Sequence, residues 1–171
     1  MDRNRFASSV IVGVSYARKH QKGTEGDECM TTKVLLVDDE EQFVEVLSQR
    51  LDARGFKVDT AFNGDDAIEF VNGHDVDVVI LDVQMPGRDG LETLREIKRI
   101  KPLTEVIMLT GHGTVETAIQ GMKLAAYDYL MKPTDTTELV DKITKAQQRK
   151  QEQEERIRQA EVDRLVKRRG W

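Results

Sequence analysis

Residues 78–87 have the sequence VVILDVQMPG, and this stretch decides the fold. Four consecutive apolar residues, Val78 to Leu81, are typical of a strand buried on both faces, and the Pro-Gly pair predicts the turn that ends it. Asp82 is therefore expected at the C-terminal end of a strand. In a doubly wound parallel sheet ligands bind at that edge, so the position favours a chemical role for this carboxylate.

Four other segments have strand character, at 33–37, 56–60, 105–109 and 127–131, and each is followed by apolar residues at helical spacing. Strands that alternate with helices through short connections predict a parallel sheet covered on both faces. We therefore expect an α/β fold of the flavodoxin-like (βα)5 type, with strand order 2-1-3-4-5. That order brings the ends of strands 1, 3, 4 and 5 around one crevice.

Composition and charge predict one acidic domain with appendages. Hydrophobic residues make up 39% of the 171 residues, which suffices for a single core. We divide the chain into an extension (1–31), a domain (32–146) and a charged helical extension (147–171). The formal net charge is −5, with +1 on the first segment and +3 on the last, which leaves −9 on the domain. Such a domain repels nucleic acid and attracts cations or basic partners.

The N-terminal extension is expected to be disordered or non-native, with Met30 as the start of the natural protein. Cys29 is the single cysteine, which excludes an intramolecular disulfide and fits a reducing cytosol. No apolar run reaches the roughly 18 residues of a membrane span. We therefore expect a cytoplasmic protein that does not enter a membrane.

Carboxylates follow two strands that should be neighbours. Asp38 and Asp39 end the first strand, and Asp82 ends the third. Two carboxylates near 4 Å apart repel by roughly 4 kcal/mol in a protein-surface dielectric, and a cation relieves this repulsion. Oxygen-only ligands suit Mg²⁺, which keeps several of its waters. The alternative is that Asp38 or Asp39 caps the helix that follows.

Two further strand ends carry groups that can bind an anion. Thr110 begins a glycine-flanked turn at the end of strand 4, and Lys132 precedes a proline at the end of strand 5. Alone, the first is usually a helix cap and the second a solvated charge. Phosphoryl transfer needs a nucleophilic carboxylate, a divalent ion and donors for the phosphoryl oxygens, so together with three acids these residues predict a phosphoryl site.

The domain resembles the receiver domain of bacterial two-component response regulators. Five motifs carry the resemblance: VDDE at 37–40, LD at 81–82, MPGRDG at 85–90, TG at 110–111 and YLMKP at 129–133. The run TGHGT and the helical continuation are most similar to receivers that precede sigma-54-dependent ATPases, a module not seen after residue 146. The resemblance implies that a histidine kinase or phosphotransfer protein is the phosphoryl donor.

The same resemblance assigns roles to the acids. Asp82 would be the phosphoacceptor. Asp39, Asp82 and the backbone carbonyl of Gln84 would bind Mg²⁺ directly, and Asp38 would hold a metal-bound water.

The resemblance also implies a switch. Thr110 and Lys132 would bind the phosphoryl oxygens, and the peptide bond after Lys132 would be cis. A phosphorylated aspartate has a charge near −2 and draws the Thr110 hydroxyl inward. Tyr129 matches the family's switch aromatic and would then rotate inward, altering the surface of the fourth helix, fifth strand and fifth helix; the alternative is an ordinary half-buried tyrosine. Gln84 and His112 would tune the lifetime of the phosphorylated state.

The fifth helix is predicted to begin near residues 135–136 and to continue to Gly170. At 1.5 Å per residue it would be near 50 Å long, so its second half must leave the domain. The 4-3 spacing of its apolar residues, extended along this half, gives a seam that is too polar for a strong coiled coil, with Lys150, Gln153, Ile157, Ala160 and Arg164. The open alternatives are a solvated helix, a homodimer through this helix or through the switch surface, and docking on a partner. Direct nucleic acid binding is not expected, because the basic residues form no helix-turn-helix.

Two other functions compete with the receiver hypothesis. Magnesium-dependent aspartate-nucleophile phosphohydrolases use similar groups but need a second acid two residues after the nucleophile, where this chain has Gln84. We therefore expect a phosphoacceptor domain rather than an enzyme with turnover. The chain could also be the regulatory fragment of a longer DNA-binding transcription regulator, whereas the hypothesis we favour is a stand-alone receiver with a helical interaction tail.

Overall fold

The computed structural model describes residues 31–170, in which five strands alternate with five helices. The predictions for the N-terminal extension lie outside the described residues, except at Thr31. In chain order the elements are β1 (Lys33–Val37), α1 (Glu41–Asp52), β2 (Lys57–Ala61), α2 (Gly64–Gly73), β3 (Val78–Leu81), α3 (Gly90–Ile100), β4 (Glu105–Thr110), α4 (Val115–Lys123), β5 (Asp128–Met131) and α5 (Thr136–Arg168).

The strands form one parallel sheet in the order β2-β1-β3-β4-β5, which confirms the predicted fold class and topology. Val37 pairs with Leu81, and Thr110 pairs with Met131, so the C-terminal ends of these strands lie at one edge. The residue that follows each strand is therefore placed at the same crevice. The sequence placed the start of β2 one residue too early, because the Phe56 N–H donates to the carbonyl of Leu51 and closes the turn after α1.

Each face of the sheet has its own core. The α1–α5 core contains side chains of both these helices and the alternate strand residues Val34, Leu36, Ile80, Ile107 and Leu109. The opposite core lies beneath α2 and α3 and contains the other strand residues, among them Leu35, Val79, Leu81 and Met108. Helices on both faces explain why β1, β3 and β4 are almost entirely apolar.

Side-chain caps fix the start of four helices. Asn63, Asp89, Thr114 and Asp135 each accept a hydrogen bond from a backbone N–H in the first turn of α2, α3, α4 and α5 respectively. The fifth helix begins where it was predicted, with Asp135 as the N-cap and Thr136 as the first helical residue. This helix contacts the domain as far as Lys150, and its remaining residues are mostly exposed. Among residues 31–170, no helix is both long and apolar enough to span a membrane.

Candidate functional site

Three carboxylates meet where β1 and β3 end. Asp38, Asp39 and Asp82 each place one oxygen within 4.8 Å of the others. Asp38 and Asp82 are buried, with 2% and 7% of their surface exposed, whereas Asp39 faces solvent. Asp38 and Asp39 follow β1, and neither of them caps α1, because the N-cap of this helix is Glu40. The three acids predicted from the sequence therefore lie close together, and the alternative that Asp38 or Asp39 caps the helix that follows is wrong.

Asp38 is held by two hydrogen bonds. Its Oδ1 accepts from the backbone N–H of Glu40 at 2.9 Å. Its Oδ2 is paired with the ammonium of Lys132, which arrives from the end of β5. Asp38 therefore links two strand ends, and one positive charge partly compensates the negative charge of the crevice.

One carboxylate oxygen of Asp82 has no comparable hydrogen bond or ion pair within residues 31–170. Its Oδ1 is buried and has no hydrogen-bond partner among the described residues. Burial raises the pKa of this carboxyl above its usual range, and the negative charge of Asp38 adds to the effect. The Thr110 hydroxyl, the Lys132 ammonium and the backbone of Gln84 act on the pKa in the opposite direction. An unpartnered oxygen in a negative crevice is a group that a cation or an electrophile would stabilise.

Thr110 and Lys132 complete the crevice from β4 and β5. Thr110 is fully buried, and its Oγ1 accepts a hydrogen bond from the His112 N–H at 3.2 Å. The backbone N–H of Lys132 donates to the carbonyl of Thr110 at 2.8 Å, which keeps these two strand ends together. The peptide bond between Lys132 and Pro133 is cis, as the resemblance implied.

A glycine allows α3 to begin against the loop that follows Asp82. The Gly90 N–H donates to the carbonyl of Val83 at 2.8 Å. A Cβ at Gly90 would lie 2.1 Å from the carbonyl oxygen of Asp82 and 2.7 Å from the Cα of Val83. Any larger residue at this position would displace the backbone of Asp82 and Val83, so the close approach of α3 to this loop requires glycine.

The residues of the crevice fit Mg²⁺. The three residues of the cluster offer carboxylate oxygens, and the carboxylate of Asp82 has a buried oxygen without a hydrogen-bond partner among the described residues. This donor set matches the hard oxygen ligands that Mg²⁺ prefers.

Tyr129 is a residue of β5, and its side chain reaches the first turn of α4. Its hydroxyl is 3.0 Å from the Thr117 Oγ1. The Thr117 Oγ1 also accepts from the Thr114 N–H and lies 2.9 Å from the carbonyl of Thr114, so Tyr129 joins the hydrogen bonds that cap α4. A Cβ at Gly113 would lie 2.1 Å from the same hydroxyl and 3.0 Å from the Thr110 Cγ2. Tyr129 therefore contacts the turn that begins at Thr110, where a switch residue would need to be.

The two residues expected to tune the lifetime both lie at the rim. Gln84 follows Asp82 by two residues and His112 follows Thr110 by two, and both side chains are exposed. That these two residues tune the lifetime of a phosphorylated state stays a prediction. His74, by contrast, is the C-cap of α2, and its ring is stacked on that of Phe70 with the ring centroids 4.2 Å apart.

Sequence reasoning missed two contacts of functional interest. Phe43 is one of the apolar residues at helical spacing in α1, and sequence reasoning assigned it no role at the site, but its ring lies under the Lys132 ammonium. Lys150 was treated as a polar interruption of a seam, but it is 4% exposed and forms ion pairs with Asp75 and Asp77. The signal for Lys150 was present, since it continues the 4-3 spacing of the buried residues of α5 and must face the domain.

The family model of the response regulator receiver domain matches residues 34–144. Among solved structures, a response regulator receiver domain from Clostridium thermocellum is 38% identical, with a TM-score of 0.67; the match covers 70% of this chain and 97% of that one. The protein TrrA from Thermotoga maritima, solved in complex with magnesium and beryllium fluoride, is 34% identical with a TM-score of 0.63, over 68% of this chain and 99% of that one.

A third match concerns a longer protein. NtrX from Brucella abortus, solved in complex with ADP, is 33% identical with a TM-score of 0.69; the match covers 74% of this chain but 29% of that one. The similarity to NtrX therefore concerns less than a third of that protein.

Proposed function

Because the chain belongs to the response regulator receiver family, whose general function is phosphorylation on an aspartate, we propose that Asp82 accepts the phosphoryl group. The single observation that carries this assignment is the unpartnered, buried Oδ1 of Asp82 at the meeting point of three carboxylates. A carboxylate oxygen without a hydrogen bond keeps its lone pairs for a nucleophilic attack. Asp38 is disfavoured as the acceptor, because both its oxygens are engaged.

The reaction consists of one displacement at phosphorus. An oxygen of Asp82 forms the new bond to phosphorus while the bond between phosphorus and the leaving atom of the donor breaks. Receiver domains in general take their phosphoryl group from histidine kinases or phosphotransfer proteins. Thr110 and Lys132 supply a hydroxyl and an ammonium for the phosphoryl oxygens, and both side chains lie at the same sheet edge as the acceptor.

The acidic residues have a second role in this proposal. Asp39, Asp82 and the backbone carbonyl of Gln84 would hold Mg²⁺, with Asp38 on a metal-bound water. When bound, the ion neutralises negative charge between the acceptor and the incoming phosphoryl group. The three carboxylate oxygens within 4.8 Å support this assignment.

Stoichiometry separates a receiver from a phosphohydrolase. We expect the full chain, incubated with acetyl phosphate and Mg²⁺, to gain one phosphoryl group by intact mass while phosphate release stays near the rate of decay of the labelled protein. A hydrolase would instead release many equivalents of phosphate without stable labelling. Gln84 supports the first outcome, because it occupies the position where such hydrolases have a second acid. Multiple rapid turnovers would contradict the proposal.

The output surface we propose comprises α4, β5 and α5. Tyr129 connects it to the crevice, since its hydroxyl contacts α4 and the turn after Thr110. Large apolar side chains are exposed on this surface, namely Val115, Ile119, Met122 and Met131. A second copy or a heterologous partner would cover them after phosphorylation. Light scattering with and without beryllofluoride distinguishes the two, because only dimerisation raises the mass of the isolated chain.

A further inference from the structure

The aromatic ring of Phe43 lies directly under the ammonium of Lys132. The distance from the Lys132 Nζ to the ring centroid is 4.0 Å, within the range at which the negative face of a ring attracts a cation. Phe43 is in the first turn of α1 and packs against the edge of the α1–α5 core. The segment that supplies the acids therefore also supplies an aromatic contact for the lysine.

The two contacts of Lys132 differ in kind. The bond to Asp38 is directional and uses one N–H of the ammonium, whereas the attraction to a ring face does not depend on which N–H points at it. Lys132 can therefore turn an N–H from Asp38 toward a phosphoryl group on Asp82 without leaving the ring. The ring also adds no negative charge to a crevice that already has three carboxylates.

The surroundings strengthen the contact. The Lys132 side chain is 16% exposed, and the carboxylate of its partner Asp38 is almost completely buried. Cation–π attraction is larger when the cation is partly desolvated. Without the ring, the flexible four-carbon stem of lysine would leave the ammonium free to follow Asp38 alone.

We propose that Phe43 is a positioning residue, which keeps the Lys132 ammonium at the level where it meets the phosphoryl group on Asp82. This inference rests on the function proposed above. Phe43 acts through Lys132 and does not touch the reacting atoms.

The sharpest test replaces Phe43 in the full chain by phenylalanine with one, two or three ring fluorines. Fluorine withdraws electron density from the ring face at nearly constant volume, so packing is kept while the attraction weakens. We expect the rate of labelling by acetyl phosphate to fall stepwise across the series, by about three- to tenfold in total. A labelling rate independent of fluorine number overturns the proposal.

Conventional variants provide the matched control. Phe43→Leu should lower the labelling rate by about three- to tenfold, and Phe43→Tyr should retain it, since tyrosine keeps a ring face. Phe56→Leu makes the same change at another half-buried phenylalanine packed on the same core, and it should label like the wild type. Equal losses in the two leucine variants would show a packing effect and overturn the proposal.

A readout without phosphoryl donor or metal completes the design. In NMR spectra of the metal-free chain, the ε-methylene protons of Lys132 should show an upfield ring-current shift that disappears in Phe43→Leu. Absence of this shift in the wild type overturns the proposal. If the wild type is not labelled at all, the proposed function fails; a labelled wild type with a flat fluorine series removes only the role of Phe43.

Discussion

The Lys150 ammonium of α5 lies 2.9 Å from the carboxylate of Asp77, at the end of β3 opposite to Asp82. It also donates to the buried carbonyl of Val76 at 3.1 Å and pairs with Asp75. The preceding Arg149 is paired with Glu105, which begins β4. The strands whose C-terminal ends place Asp82 and Thr110 at the crevice therefore have acids at their N-terminal ends, and these acids hold the C-terminal helix.

We expect Lys150→Met to destabilise the domain by about 2–3 kcal/mol, because Asp77 and the carbonyl of Val76 lose their buried donor. The matched control is Lys145→Met on the same helix, which removes an exposed pair with Asp141 and should cost less than about 0.5 kcal/mol. Urea unfolding measures both. Equal costs for the two variants would show that Lys150 does not anchor the helix.

A Cβ at Gly113 should disturb the switch tyrosine. It would meet the Tyr129 hydroxyl at 2.1 Å and the Met131 sulfur at 2.9 Å, so we expect Gly113→Ala to cost about 1–3 kcal/mol. Gly111→Ala is the control, since its nearest neighbour is Lys132 Cδ at 3.8 Å. Adding Tyr129→Phe to Gly113→Ala should recover most of the loss by removing the hydroxyl. Thermal unfolding of the three variants and the wild type tests this, and a loss that Tyr129→Phe does not rescue would exclude the tyrosine contact as its cause.

The raised pKa of Asp82 predicts a pH-dependent gain in stability on removing its charge. Burial and Asp38 raise the pKa in the folded chain, so ionisation of Asp82 opposes folding at any pH above that value. In metal-free buffer at pH 7, Asp82→Asn should increase the free energy of unfolding by about 1–2 kcal/mol. The gain should shrink as the pH falls through the folded pKa and disappear below about 3.9, the usual value of the unfolded side chain. Denaturant unfolding across this range is the measurement, and a variant less stable than the wild type at pH 7 would contradict it.

Magnesium should stabilise the folded chain through the assigned ligands. At about 100 times its dissociation constant, the ion adds about 2.7 kcal/mol to the free energy of unfolding. We expect this increment in the wild type and its loss in Asp39→Asn. Glu40→Gln is the control, because the neighbouring Glu40 is exposed and lies outside the three-carboxylate cluster. Calorimetry with and without MgCl₂ measures the stabilisation by Mg²⁺. An equal loss of this stabilisation in both variants would contradict the assigned ligands, because it would indicate that Mg²⁺ only screens the general negative charge.

Local sequence patterns sufficed to predict the strands and helices and to predict that the site residues lie close together. Five buried or alternating strands with short connections permit few topologies, and a parallel sheet brings its C-terminal ends to one edge. Asp38, Asp82, Thr110 and Lys132 could be named because each directly follows or ends a strand. Their position depends on register, which the apolar pattern determines.

Contacts between distant segments could not be predicted in the same way. The ring of Phe43 and the ammonium of Lys132 are far apart in the chain and meet only in the tertiary structure, and helical periodicity assigns Phe43 to the core without naming its neighbour. The burial of Lys150 depends on acids 73–75 residues away in the chain. Periodicity indicates which side of a helix faces the domain, but the identity of the group it meets requires the tertiary structure.

The most direct test of the central claim maps the phosphorylated residue. After labelling with acetyl phosphate and Mg²⁺, borohydride reduction converts an aspartyl phosphate into homoserine, which peptide mass spectrometry locates in the chain. The account predicts homoserine at position 82 in the wild type and no labelling in Asp82→Asn. Homoserine at position 38 or 39, or undiminished labelling of Asp82→Asn, would contradict it.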